Sequence, residues 1–403
     1  MKYKVVFVAP WAPPFGGISS SLIELVPRLK QLGCDVAVFS RHSKDIHYLV
    51  DNNVPIFRFS IARLIVTRPL FVFASIFKHL PRFSLISWKK FVRSAIAASY
   101  IESSLNDEQK SLIYITYSTD DLFLAPFLKS YPKTKAVFTT IYAGLLLYPK
   151  LYIKHKKYIR YCLMFSDKIL SCSNYCASLP QKILGTTTPY AHIYNSVDHH
   201  LYSPSNDSYL IRAKLSIPTS AIVLLFFSRM SVDMGTDFVL ANASSWLYSF
   251  PDLYIVIAGS SDSLGQNVYD YALTNQRIKC SFDIPFQEKP FYYAASDIFS
   301  APTKLSHPCL GISNIEAMMS GKAVLSSDTG GHREVLVHQK SGLLSPFING
   351  ELDPTAYLKL LTFLISDPLL RTSMGEEARQ YSTSNFTNDI IADAHLDLFN
   401  EIR

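Results

Sequence analysis

KVVFVAPWAPPFGGISSSLIELVPRLKQLGCDVAVFS, residues 4–40, sets the fold class. Residues 4–9 (KVVFVA) are a continuous apolar run, the pattern of a strand buried on both faces. A turn-rich stretch, PWAPPFGG at 10–17, follows. Residues 19–32 then place Leu22, Leu25, Val26 and Leu29 on one helical stripe, and Gly33 ends it. Residues 35–40 (DVAVFS) read as a second strand. A strand, a crossover helix and a strand imply a parallel sheet.

The grammar continues outward. Further strands are predicted at 112–116, 136–140 and 168–171. The second half repeats the pattern with AIVLLFF at 221–227, LYIVIA at 253–258, a short strand at 298–301 and AVLS at 323–326. Between the halves lies a turn-rich segment, YNSVDHHLYSP at 194–204, with the composition of a linker. Segment 60–100 breaks the alternation. It mixes Phe71, Phe73, Phe77, Phe83, Trp88 and Phe91 with Arg63, Arg68, Lys78, Arg82, Lys89, Lys90 and Arg93, and KLYIKHKKYIR at 150–160 adds a second basic stretch. Interleaved rings and cations suit a bilayer interface; a core helix pair with solvated charges is the alternative.

At 403 residues the chain is long for one domain and sufficient for two, and 48% hydrophobic content can fill two cores. The start runs straight into an apolar strand, without the hydrophobic region and cleavage site of a signal peptide. No apolar run is long enough to span a membrane, and a cytoplasmic protein is expected. Cys34, Cys162, Cys172, Cys176, Cys280 and Cys309 form no C-x-x-C pair and complete no zinc site, so free thiols and no metal are expected. Residues 1–197 hold 25 Lys+Arg against 10 Asp+Glu, a balance of +15, whereas the remainder holds 14 against 22, or −8. The basic half is therefore expected to meet something anionic: a membrane surface, a phosphorylated acceptor or a nucleic acid. No recognition motif accompanies the charge, which argues against nucleic acid.

The chemistry is concentrated in residues 301–344, APTKLSHPCLGISNIEAMMSGKAVLSSDTGGHREVLVHQKSGLL. A loop leaves a strand, a helix starts at Gly311, Ile312, Ser313 and Asn314, and Gly321 ends that helix. A helix N-terminus just past a strand's carboxyl end suits a diphosphate, because its N–H groups and dipole favour an anion. Glu316 lies one turn in, where it could accept from sugar hydroxyls; Ser313-x-x-Glu316 equally reads as a capping box. Gly16-Gly17, after Pro13-Pro14, reads as a tight turn that would also let backbone approach a phosphate.

This stretch resembles the donor-binding block of the family 4 retaining glycosyltransferases, glycosyl transferases group 1, of the GT-B fold. The run G-x-x-x-x-E-A-M-x-x-G-x-P-V falls on Gly311, Glu316, Ala317, Met318, Gly321, Ala323 and Val324. S-x-x-G-G-x-x-E follows at Ser327, Gly330, Gly331 and Glu334, then G-L-L at 342–344. Asn195-Ser196-Val197-Asp198 with Tyr202 and Pro204 is similar to the family's interdomain linker. Phe227-Ser228-Arg229 resembles its phosphate-binding strand end, Phe15-Gly16-Gly17 its N-terminal glycine loop, and Met374-Gly375 with Ala378-Arg379 its C-terminal helix. The likeness covers the second half almost throughout and the first half only at its start.

The resemblance implies two Rossmann-like α/β domains facing a cleft: 1–197 for the acceptor, 198–384 for the nucleotide sugar, and 385–403 as a helix crossing back. It implies transfer of a sugar, with retention, from a nucleotide-diphospho-sugar to a glycan or lipid-linked acceptor, in surface polysaccharide or glycolipid assembly. Arg229 and the 311–316 helix start would stabilise the leaving diphosphate, Glu316 would hold the ribose, and Gly17 would let the N-terminal loop close. No metal or other cofactor is implied. Three positions depart from the family. The family has two glutamates with seven residues between them; Glu316 matches the second and Pro308 stands at the first. Met234 occupies the place of the lysine that follows Arg229. Tyr142, the acceptor-side candidate, stands loosely where a histidine is common. Lys304 or His307 could supply a missing partner. The departures leave open a second expectation, a catalytically silent relative acting as a partner or scaffold.

Overall fold

The opening βαβ unit is present. In the computed structural model, which describes residues 3–11, 17–41, 46–80, 87–105, 108–118, 120–142 and 149–402, β1 spans Tyr3–Val8, α1 Gly17–Gln31 and β2 Asp35–Ser40. β1 and β2 pair in parallel, with Val5 opposite Val36 and Phe7 opposite Val38. Helix α1 starts at Gly17, earlier than the apolar stripe alone indicates, and keeps Pro27 within it. Leu22, Leu25, Val26 and Leu29 join the core against β1 and β2. Burying each contributes about 1.5–3 kcal/mol relative to leaving it in water. Gly33 closes the helix at φ +87°, a left-handed conformation natural to glycine.

The chain divides into two compact units, Met1–Ser196 with Ile391–Arg403, and Val197–Ile390. In the first, β3 (His47–Asp51), β4 (Val54–Arg58), β5 (Ser111–Thr116), β6 (Thr134–Thr140), β7 (Lys168–Ser171) and β8 (Tyr190–His192) complete an eight-stranded sheet of order β3-β4-β2-β1-β5-β6-β7-β8. The sheet is parallel except at its edge, where β3 runs antiparallel to β4. That edge corrects the wholly parallel expectation. Asn52 and Asn53 adopt φ 49° and 63°, the two positive values that a tight hairpin turn requires. Segment 60–100 forms α2 (Ile61–Thr67), α3 (Pro69–His79) and α4 (Trp88–Ser104); α4 buries Ala95, Ile96, Ala97, Ala98 and Ile101. Residues 150–160 lie in α5 (Pro149–Leu163). Near the chain's end, Ile391, Ala392, Leu398 and Phe399 belong to this unit's core. The Tyr3 hydroxyl donates to the Ile402 carbonyl at 3.2 Å.

The second unit is built on β9 (Ile222–Arg229), β10 (Leu253–Ser260), β11 (Ile278–Phe282), β12 (Ile298–Ala301), β13 (Ala323–Ser327) and β14 (Leu343–Ser345), in the order β11-β10-β9-β12-β13-β14. These six strands pair in parallel throughout. The elements that matter for the site are α6 (Thr236–Ser249), α7 (Lys289–Ala295) and α8 (Ile312–Met319). In its core Trp246 and Tyr357 stack with ring centroids 5.8 Å apart, and Phe238 meets Tyr357 edge-on. Strand order reverses once in each sheet, between β1 and β5 and between β9 and β12, and such switch points open crevices at the strands' carboxyl ends. All six cysteines are free. Among the described residues no helix is long and apolar enough to cross a membrane, and no His, Cys, Asp or Glu cluster could hold a metal ion.

Candidate active site

Arg229 ends β9, and the loop 302–311 leaves β12, so the two flank the second unit's switch point. The loops there are in backbone contact. Gly235 follows the turn after β9 at φ +82°, and a Cβ on it would lie 1.8 Å from the Pro302 carbonyl oxygen. Thr303 Oγ1 and the Lys304 amide both donate to the Asp233 carbonyl, at 2.9 and 3.0 Å. The loop 302–311 packs equally closely against the turn after β13. The Gly331 amide donates to the Pro308 carbonyl at 2.9 Å, and a Cβ on Gly331 would sit 1.8 Å from the Cys309 carbonyl oxygen. The paired glycines of the signature are therefore demanded by backbone packing.

Helix α8 begins at Gly311, whose φ of +82° places it in the left-handed region. A Cβ there would meet His332 Nε2 at 2.6 Å and Asn314 Nδ2 at 2.9 Å. Ser326 Oγ lies 2.8 Å from His332 Nδ1 and accepts from Asn314 Nδ2 at 3.3 Å. Burial pulls His332 down to about 4, so its ring is neutral. Asn314 is fully buried, yet its Oδ1 has no partner. Ser231 Oγ and Thr236 Oγ1, on the opposing turn, are likewise buried without partners. Orphaned buried polar atoms are rare in a folded chain. These three are among several such atoms along the chain, and they lie on the turn after β9 and at the starts of α6 and α8.

Glu316 does not cap α8. The N-cap is Gly311 without a side-chain bond, which removes the capping-box reading. The carboxylate instead accepts from Tyr202 Oη at 3.1 Å, Tyr293 Oη at 2.6 Å and Lys289 Nζ at 2.5 Å. It is buried, and these three donors balance its desolvation. Burial and the adjacent Glu316 charge push the Tyr293 hydroxyl well above its ordinary value, so it stays a donor. Lys289 and Tyr293 stand four apart on α7, one face of one short helix. That spacing was the available signal for a clamp, and the sequence reading named only Tyr202, as part of the linker. Arg379 Nη1 and Nη2 donate to the Tyr202 and His199 carbonyls at 2.7 and 2.9 Å, fixing the linker segment that delivers Tyr202.

Arg229 is exposed and pairs with Asp262 at 3.3 Å. Met234 packs against the hydrophobic core, and no cation stands at its position. Lys304, however, reaches the same turn. Its ammonium lies 2.9 Å from Asp237 Oδ2 and 3.3 Å from Glu351 Oε2, and the bond to Asp237 holds it charged, above its ordinary value. Pro308 is buried beneath Gly330 and Gly331, leaving no carboxylate at that position, while His307 is exposed. Gly17 opens α1 at the carboxyl end of β1; Gly16 lies outside the described residues. Tyr142 follows β6 in the first unit. It lines a cavity of about 20 Å³ with Tyr117, Thr140 and His395 among others. His395 donates through Nδ1 to the Ile391 carbonyl at 2.8 Å, leaving Nε2 to face the Tyr117 hydroxyl at 3.4 Å; burial pulls it down to about 4.

Residues 207–381 match the glycosyl transferases group 1 family model. YtcC of Bacillus subtilis (strain 168) is 27% identical over 210 residues, 48% of this chain and 50% of that one. The GDP-mannose-dependent monoacylated alpha-(1-6)-phosphatidylinositol monomannoside mannosyltransferase of Corynebacterium glutamicum is 25% identical, over 56% and 60%. The lipopolysaccharide core biosynthesis mannosyltransferase LpcC of Rhizobium leguminosarum bv. viciae is 23% identical, over 62% and 68%. The chain thus spans about half to two thirds of the length of these curated relatives. Among solved structures, Anabaena HepE in complex with UDP-glucose aligns with TM-score 0.74 at 16% identity over 99% of both chains. Sucrose-phosphate synthase from Thermosynechococcus elongatus aligns with TM-score 0.73 at 17% identity, over 99% of this chain and 98% of that one. The glycines and the Glu316 helix of the second unit lie within the stretch that matches the glycosyl transferases group 1 model, and the chain has the GT-B fold.

Proposed function

We propose that the protein is a glycosyltransferase that moves a sugar, with retention, from a nucleotide-diphospho-sugar to a glycan or lipid-linked acceptor in surface polysaccharide or glycolipid biosynthesis. The observation that carries this reading is the second unit's switch point, where the left-handed Gly311 opens α8 and the cations Arg229 and Lys304 stand on the flanking loops. Arg229 and the first turn of α8, Gly311 to Asn314, stabilise the negative charge that develops on the leaving diphosphate. Lys304, held by Asp237, supplies the second cation in place of Met234. Glu316 offers its remaining acceptor capacity to the ribose hydroxyls. Gly16 and Gly17 let the loop before α1 approach the donor, and Tyr142 belongs to the acceptor side. In this reading the cationic groups replace a metal, and no other cofactor takes part. Relatives named for phosphatidylinositol mannosides and lipopolysaccharide core support an acceptor of the lipid-linked class. The reaction then belongs at the cytoplasmic face of a membrane, with the basic half in peripheral contact and no nucleic acid as partner.

The second reading, a catalytically silent partner or scaffold protein, rests on Pro308, whose buried ring leaves no carboxylate where the family has its first glutamate. Titration calorimetry with a panel of nucleoside diphosphates, followed by product analysis with the matching nucleotide sugars, separates the two. Saturable binding with product formation is expected. Binding without turnover on any acceptor supports the scaffold, and absence of nucleotide binding overturns both.

A further inference from the structure

Helix α3 is built inside out. Its buried residues are Ser75 and His79, whereas Leu70, Phe73 and Phe77 are 85%, 62% and 57% exposed. A surface helix ordinarily turns its apolar stripe inward and its polar stripe outward. The inversion is fixed by contacts. Ser75 Oγ donates to the Phe71 carbonyl at 2.7 Å, and the His79 ring packs edge-on against Phe127 at 5.0 Å. Leu70, Phe73 and Phe77 fall three and four positions apart, one face, with the two phenyl rings 4.5 Å between centroids. Val66 of α2 is 77% exposed and Trp88, the first residue of α4, 53%. The exposed apolar stripe of Leu70, Phe73 and Phe77, with further exposed apolar side chains on the adjoining helices, marks an interaction surface.

Charge identifies the occupant. Residues 52–101 hold eight Lys or Arg and no Asp or Glu. Of these, Arg63, Arg68, Lys89 and Arg93 are exposed beside the apolar face. With 11 residues, α3 is too short to span a bilayer. Apolar side chains on a short helix, flanked by cations, suit the boundary between phosphate headgroups and acyl chains. We propose that α2, α3 and the start of α4 dock the first unit on an anionic lipid surface. Leu70, Phe73, Phe77 and Trp88 enter the acyl boundary, while Arg63, Arg68, Lys89 and Arg93 meet lipid phosphates. This deepens the peripheral contact suggested above and requires nothing of the donor site, so the two are tested separately in the same samples.

Trp88 is a built-in reporter, because the two other tryptophans, Trp11 and Trp246, are each 1% exposed. The full chain is mixed with vesicles of phosphatidylcholine, with or without phosphatidylglycerol, and followed by sedimentation and tryptophan emission. The expected result is sedimentation with the anionic vesicles, a blue shift and shielding of Trp88 from acrylamide, and only partial release by salt. L70S/F73S/F77S should melt as the wild type and bind nucleoside diphosphate equally, yet partition to vesicles roughly tenfold or more weakly. R63Q/R68Q/K89Q/R93Q, which leaves the apolar face intact, should lose the preference for phosphatidylglycerol. Absence of binding to either vesicle overturns the proposal, as does a serine variant that binds like the wild type. Shielding of Trp88 without lipid, together with a dimer that the serine variant abolishes, would also overturn it and assign the face to a second copy of this chain.

Discussion

The two switch points share a topology and differ in chemistry. At the first, the small cavity by the ends of β5, β6 and β7 is lined by neutral groups, among them Tyr117, Thr140, Tyr142 and the uncharged His395, and the nearby charges of Arg41 and Asp121 are buried and paired with each other. At the second, beside β9 and β12, stand Arg229, Lys304, the start of α8 and the Glu316–Lys289 pair. A doubly wound sheet thus supplies a place for a ligand without fixing its charge. The side chains at the strand ends decide: hydroxyl groups suit a neutral polyol, and cations with helix starts suit a diphosphate.

The largest effects should come from backbone packing. Gly235→Ala combines φ +82° with a Cβ 1.8 Å from the Pro302 oxygen, so the two loops of the second crevice must separate. We expect a loss of about 3 kcal/mol or more in urea unfolding, accompanied by loss of nucleotide binding. Gly33→Ala is the control in the first unit. Its φ is +87°, but nothing lies within 4 Å of the added Cβ, and the loss should be about 1 kcal/mol. Equal losses would mean that strain alone, and not the close approach of loops, holds Gly235.

Acid should strike both units in one window. His332 in the second unit and His395 in the first each have a folded value near 4, below the ordinary 6.5, because burial disfavours the charged ring. Between those values the unfolded chain binds more protons than the folded one. The stabilisation is complete above 6.5 and is lost as pH falls toward 4, up to on the order of 3 kcal/mol per histidine. Thermal melts taken across this range should show the loss, and His332→Gln should flatten only the second unit's share. A flat profile would mean that water reaches both rings.

How far each region could be read from sequence follows the same division. The second crevice was legible because its demands are local in the chain: Gly311, Gly321, Gly330 and Gly331 each satisfy a turn or a close approach within residues 301–344. The clamp on Glu316 was not, because Tyr202, the Lys289–Tyr293 pair of α7 and Glu316 itself come from three stretches that only the fold joins. The hairpin of β3 and β4 turned on Asn52-Asn53, a signal present but unread. In segment 60–100 composition offered both a bilayer interface and a core helix pair. α4 buries its apolar residues and α3 exposes them, an outcome periodicity cannot choose.

Arg229 and Glu316 test the charged crevice from opposite sides. Arg229 is exposed and its pair with Asp262 contributes little to stability, so Arg229→Ala should leave the melting temperature near wild type. Nucleoside diphosphate affinity should fall by roughly 1.5–3 kcal/mol, from the lost charge-assisted bonds. Glu316→Gln leaves Lys289 and two tyrosine hydroxyls facing a neutral amide. It should cost about 1–3 kcal/mol of stability as well as donor affinity. Calorimetry and denaturation on both variants check the contrast. Unchanged affinity in Arg229→Ala would remove that residue from the donor site.

The smallest effect is expected at the neutral crevice. Tyr142 follows β6 and lines the same cavity as Tyr117 and His395, with its ring partly buried against the first unit's core. Tyr142→Phe keeps the ring and removes one hydroxyl, so stability should change by less than about 1 kcal/mol. If the hydroxyl meets the acceptor, KM for the acceptor should rise a few-fold, again within about 1 kcal/mol, because one neutral hydrogen bond is at stake. Affinity for the nucleoside diphosphate should not move, because that ligand is assigned to the charged crevice of the other unit. The measurement is therefore a pair: acceptor titration at saturating donor, and nucleotide calorimetry on the same preparation. A shift in donor affinity with acceptor KM unchanged would reverse the assignment of the two crevices. A shift in neither would confine Tyr142 to packing, with acceptor recognition carried by other side chains at the ends of β5 to β8.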